Sequence, residues 1–286
     1  MMTRVLSNSW YDADPSIVQS KPMKHSPRAL ALAVVVCLSA AAAASAQQRG
    51  AISGLWTRGG AANTLFRPPP SGTGPVMTLK LPGQNVPRQA GDYNSPLLQP
   101  WAKEVVRRQT DRVLAQNAAL NTPQETCWPM GVPHILQLNF HTQIIDDSKK
   151  IVFLYERHNQ RRIARLNASH PATVKPSWFG DSVARWEGDT LVVDTIGLDT
   201  RTWVDIFATP HTDKLHVVER YKRRDANNLD VTIEVDDPGT FTTKWSAVVS
   251  YEKDDEPWLE VACSENNIDA ATGKLYDQPM AAKPDF

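Results

Sequence analysis

From about residue 131 onward, hydrophobic and polar positions alternate in short runs, the period of strands with one buried face. The runs 135–140, 151–156 and 161–166 are β-like and separated by polar punctuation. Trp186-Glu187-Gly188-Asp189-Thr190 lies between two alternating segments, and Gly188 supplies the positive φ of a tight hairpin. Residues 215–221 and 229–235 alternate in turn, with Asn227 and Asn228 between them. After the turn Asp237-Pro238-Gly239, the residues Phe241, Thr243, Trp245, Ala247, Val249 and Tyr251 line one face of a long strand. A further turn at 254–257 leads into a closing strand at 258–263.

A different period precedes these strands. Leu98, Trp101, Val105, Val113 and Leu114 recur at near-helical spacing, so a helix is predicted from Ser95-Pro96 to about residue 118. Residues 47–95 form an extended Gly/Pro-rich arm with short strands at 52–57 and 76–81. Leu55, Trp56, Leu65 and Phe66 predict that this arm packs on the rest of the chain. Residues 96–286 then form one β-rich domain led by the helix. A meander of this length must hide its faces and edges. The predicted fold is mainly β, an antiparallel meander closing into a calycin-like barrel or half-barrel with one N-terminal helix; a β-sandwich is the alternative. Gly54-x-Trp56 resembles the opening of lipocalin strands.

Charge and cysteine content add a compartment. Met23, Lys24 and Arg28 precede an almost unbroken small and apolar run at 29–44, and Ala44-Ser45-Ala46 offers a signal-peptidase site. Residues 23–46 read as a signal peptide cleaved after Ala46, which places the protein in a periplasm or outside the cell without a membrane anchor. Residues 1–22 read as a mis-called extension. Lysine plus arginine equal aspartate plus glutamate at 31 each, and the signs are intermixed, so nucleic acid is not an expected partner. Cys127 and Cys263 survive cleavage, and an oxidising compartment favours a disulfide between them.

The blocks Trp186-Glu187-Gly188-Asp189-Thr190-Leu191-Val192-Val193-Asp194-Thr195 and Leu215-His216-Val217-Val218-Glu219-Arg220-Tyr221 resemble the signatures of a large family of uncharacterised secreted bacterial proteins. The similarity runs from about Cys127, through Arg161-Arg162-Ile163 and His170-Pro171, to Glu265-Asn266. Gly197-Leu198 stands where that family often has Gly-Phe. The resemblance implies export and brings no catalytic residues with it.

Candidate chemistry therefore comes from the residues themselves. Glu219 shares a strand face with Leu215, Val217 and Tyr221; a carboxylate there either pairs, for instance with Arg185, or serves as a general acid or base. Asp194 lies on the face of Arg185 and Val192, as a cross-strand partner of that arginine or as a second base. His211, Asp213 and His216 form a loop-to-strand cluster that could join Asp205 or Glu219 around a metal, but the spacing fits no metal motif, and none is assigned. The expected catalytic set is Glu219, Asp194, His211 and His216, with Arg185, Trp203 and Arg220 binding the substrate. Trp186 and Trp245 are expected in the core, and Trp203 at a pocket mouth. There is no G-x-S-x-G, Walker, dinucleotide or H-E-x-x-H motif. The reading is a small-molecule-binding barrel, either a cofactor-independent acid–base enzyme (isomerase, hydratase or lyase) acting on an apolar or aromatic compound, or a non-catalytic ligand- or glycan-binding module. An envelope structural or assembly role is the third option.

Overall fold

The computed structural model describes residues 52–58, 65–116 and 127–259. Nine strands close into a barrel in sequence order: β1 (Gly54–Thr57), β2 (Thr142–Asp146), β3 (Lys150–Tyr155), β4 (Gln160–Leu166), β5 (Asp181–Glu187), β6 (Thr190–Ile196), β7 (His216–Arg223), β8 (Asn228–Asp236) and β9 (Trp245–Lys253). The single α-helix among the described residues, α1 (Pro100–Gln116), precedes all but the first strand. The barrel is thus the architecture that the alternation anticipates.

The pattern works residue by residue. On β8, Leu229, Val231, Ile233 and Val235 are buried in the barrel, while Asp230, Thr232 and Glu234 alternate with them on the outer face. On β9 the same phase buries Trp245, Ala247, Val249 and Tyr251. Gly188 adopts φ 63° in the two-residue turn between β5 and β6.

One junction breaks the meander. β4 and β5 run parallel and share only three register pairs, Ala164↔Ser182, Arg165↔Val183 and Leu166↔Ala184. Parallel neighbours need a connection that returns the full length of the strand, and residues 167–180 provide it. The closing junction is also thin, since β1 meets β9 through Trp56↔Lys253 and Thr57↔Glu252.

The end of the barrel where β6 and β8 finish is covered by the connections 197–215 and 237–244 and by α1. Leu98 bridges Phe241, the Gln99 amide donates to the Thr240 carbonyl at 2.8 Å, and the Trp101 indole donates to the Gly239 carbonyl at 2.6 Å. Because residues 95–99 make these bonds, the helix begins at Pro100 rather than near Ser95, with proline in a position that needs no amide donor. Gly91 lets the helix approach: a Cβ there would lie 2.7 Å from Phe207 and 2.9 Å from Val106.

Other expectations are corrected. Residues 135–140 are not a strand; His134–Gln137 is a 3-10 turn with Ile135 and Leu136 buried, and a short apolar run carries no period to separate the two. Residues 76–81 contribute one bridge, Thr78↔Gly91, rather than a strand. The arm does pack, through Phe66, Val76 and Leu79. The last described strand ends at Lys253; Trp258 and Leu259 lie beyond it outside any strand, and the rest of the expected closing strand, 260–263, lies outside the described residues. Cys263, and with it the expected disulfide to Cys127, lies outside the described residues, as do residues 1–46.

Candidate functional site

Glu219 points into the barrel, and its partner is Arg162 of β4 rather than Arg185. Arg162 Nη1 donates to Glu219 Oε1 at 3.0 Å, and Nη2 donates to Oε2. The same guanidinium donates to Ser182 Oγ at 3.0 Å and Thr195 Oγ1 at 2.6 Å, while the Tyr221 hydroxyl donates to Glu219 Oε1 at 2.7 Å. The side chains of Arg162 and Glu219 are 1% and 0% exposed. Burial works against the Arg162 cation, but the adjoining carboxylate more than offsets it and holds the guanidinium charged. Burial also pushes the Tyr155 phenol up to about 12. The void beside Tyr221, lined also by Trp56, Leu136 and Tyr251, measures about 10 Å³, room for one water at most. Glu219 is therefore an engaged partner of a buried pair.

Asp194 faces outward, and in register it stands opposite Val183 and Val218. The cross-strand pair with Arg185 does not form, because Arg185 stands two residues along the same face, opposite Val192, and pairs with Glu187 instead. Instead Asp194 Oδ1 meets His216 Nε2 at 2.8 Å and His170 Nε2 at 3.0 Å. His170 Nδ1 reaches Asp181 Oδ1 at 2.6 Å, and Arg165 grips Asp181 at 2.6 and 3.0 Å. The His216 bond holds the Asp194 carboxyl below its ordinary range, and the same bond raises His216. Two members of the expected catalytic set thus converge, joined by His170 of the 167–180 connection, which is not in that set. Among the described residues, no group of three or more His, Cys, Asp and Glu is arranged to hold a metal ion.

This chain of contacts fastens the thin β4–β5 junction. A third imidazole does the same near the β9–β1 junction: His141 Nδ1 meets Glu156 Oε2 at 2.7 Å and Nε2 meets Asp254 Oδ2 at 2.9 Å. Only an imidazolium donates from both nitrogens. Burial opposes the charge on His141, but the two carboxylates outweigh it and raise the imidazole. For a raised histidine, stability is fully present below the unfolded value near 6.5 and is lost as pH rises through the folded one. The urea midpoint is accordingly expected to fall between pH 6 and pH 9, by an amount equivalent to about 1 kcal/mol, carried mainly by His141 because the more exposed His216 pair is screened by solvent. The double variant H141Q/H216Q should flatten that slope; an unchanged slope would show that these imidazoles are not its source.

Arg185 and Arg220, the expected substrate binders, converge on Glu187. Arg185 donates through Nε at 2.9 Å and Nη2 at 2.6 Å, and Arg220 Nη1 donates at 2.8 Å. Both stand opposite Val192, which is fully buried on the outer face beneath their stems.

His211 and Trp203 lie elsewhere, in the 197–215 connection. A neutral His211 donates from Nδ1 to the Thr212 carbonyl at 2.8 Å, leaving Nε2, 2.8 Å from Thr202 Oγ1, to accept. Burial pushes this imidazole down. His211 braces a loop and does not join Asp194 and His216. Trp203 stacks on His134 at 6.2 Å and packs beside Ala90, Val113 and Ala208, under α1 rather than at a pocket mouth. Asp205, pushed up to about 6 by burial, accepts from Thr209 Oγ1 and the amides of Phe207 and Thr209 as a turn cap. Trp245 is in the core as expected, and Trp186 is half-buried against it.

Ligand-sized space exists on the outer surface. A groove of about 460 Å³ is lined by Pro70, Thr190, Arg220, Lys222, Arg223, Arg224, Asp230, Thr232 and Val248. Of these only Arg220 is in the expected set, since exposed basic residues near a turn carry no sequence signal of a groove. Comparison with family models, curated proteins and solved structures gave no match.

Proposed function

We propose that the protein is an exported, non-catalytic binding module that presents a filled, rigid barrel and recognises its ligand on the outside. The observation that carries this reading is the contrast, among the described residues, between a water-sized void inside the barrel and a ligand-sized groove outside it. The interior void beside Tyr221 is about 10 Å³, and the groove over β6–β9 is about 460 Å³. Small-molecule sites ordinarily need several hundred Å³. In this reading the signal peptide is removed after Ala46, the module works in the periplasm, and Cys127 pairs with Cys263. The test is a thermal-shift and tryptophan-fluorescence screen of the exported protein against sugars, aromatic acids and sterol-like compounds. A saturable ligand raising the midpoint by several degrees, with no product by mass spectrometry, is the expected result. Turnover of the bound compound would overturn it.

The second reading, acid–base catalysis, draws on the convergence of His170 and His216 on Asp194. It requires that D194N abolish a turnover that the wild type performs.

A further inference from the structure

We propose that the groove over β6–β9 binds an acidic sugar carrying two anionic groups, phosphate or carboxylate, together with free hydroxyls. This rests on the outer-surface binding reading and names its ligand class. Arg220 and Lys222 lie on the outer face of β7 two residues apart, which spaces them by about 7 Å along the strand. Arg224 continues that wall into the turn before β8, while Arg223, on the inward phase of β7, donates to the Asp225 and Ala226 carbonyls and lies over the Trp56 ring. One wall is thus a line of cations suited to two neighbouring anions.

The carboxylates that face these cations leave room for a ligand. Glu187 and Asp189, which meet Arg220 at 2.8 Å and Lys222 at 3.2 Å, belong to the β5–β6 hairpin beside the groove rather than to its lining. The Arg224–Asp230 contact is longer, at 3.4 Å. The side chains of Arg220, Lys222 and Arg224 are 44%, 60% and 53% exposed, and exposed pairs of this kind contribute little. A multiply charged ligand competes with them readily, and the Lys222 ammonium keeps donors that Asp189 does not use.

The other side of the groove calls for hydroxyls. Asp230, the one carboxylate among the described lining residues, accepts from Ser250 Oγ at 2.5 Å and stands with Thr190 and Thr232. A bare polyanion is repelled there, whereas a sugar hydroxyl donates to it. Val248 and Pro70 supply apolar surface for sugar C–H faces. The strands beneath are paired along their length, so the site needs little ordering on binding.

Calorimetry with digalacturonate and glucose 1,6-bisphosphate tests the assignment, with maltose and inorganic phosphate as controls. At least one acidic sugar should bind, more weakly in high salt. K222Q/R224Q should weaken it at least tenfold while leaving the thermal midpoint unchanged. D230N should narrow the preference for the sugar over inorganic phosphate. Equal binding of maltose, or no binding of either acidic sugar, overturns the assignment. If a screened compound binds but ignores K222Q/R224Q, the groove assignment falls and the binding-module reading stands. If an acidic sugar binds in the groove and is converted to product, the groove stands and the non-catalytic reading falls.

Discussion

E219Q is expected to cost about 3–5 kcal/mol of stability, the penalty for stranding one member of a buried ion pair. Arg162 makes four hydrogen bonds inside the barrel, two of them to Glu219. A glutamine replaces one accepting oxygen by an NH₂ that faces a cation, so the guanidinium stays buried and charged without a counter-ion. The Tyr221 hydroxyl, which donates to Glu219 Oε1, loses its anionic acceptor at the same time. Replacing both members together, as R162M/E219L, should recover most of the loss, because a well-packed apolar pair avoids the desolvation cost altogether. Urea unfolding of the two single variants and the double variant, read as a thermodynamic cycle, measures this. A double variant as unstable as the sum of its parts would mean that the pair contributes packing rather than charge compensation.

W245A should cost a similar amount, about 3–5 kcal/mol, by the loss of a large buried ring and the cavity left behind. Trp245 is 2% exposed at the start of β9. Its ring lies 6.0 Å from that of Phe66 in the arm and 5.6 Å, edge-on, from that of Phe241, which bridges Leu98 just ahead of α1. One side chain thereby joins barrel, arm and helix. Besides a lower denaturation midpoint, W245A should make the arm a protease target under conditions where the wild type resists. The exposed Trp258, 37% accessible, serves as the control, with W258A expected within about 0.5 kcal/mol of wild type.

The barrel was legible because most strands obey a period of two and their turns carry glycine, asparagine or proline. β4 does not obey it, and there the site escaped. Its sequence Gln160-Arg161-Arg162-Ile163-Ala164 invites an outward Arg162 and an inward Ile163, yet Ile163 is 45% exposed and Arg162 is 2% exposed. The inversion is permitted because Glu219, Ser182 and Thr195 await the guanidinium inside, and those residues come from strands that no local pattern links to β4. The parallel β4–β5 step hid the partnership further, since a meander would have set other neighbours beside Arg162. Asp194 and His216 were found because they sit on adjacent antiparallel strands, where proximity follows from the hairpin order. His170 was missed because the 167–180 connection carries it back along the barrel, a path set by topology rather than by spacing.

The β1–β9 pairing has a consequence for the order in which the chain acquires structure. Whether released from a ribosome or threaded through a membrane, the polypeptide emerges amino end first, so β1 appears long before the strand that flanks its open side. Through that interval Trp56 and its neighbours have unsatisfied hydrogen-bonding groups, and no subset of early strands can complete the ring. Closure waits for Trp56↔Lys253, a contact spanning most of the chain. Non-local pairings of this kind slow folding, so the half-finished barrel is the species most exposed to aggregation and to any chaperone that attends it.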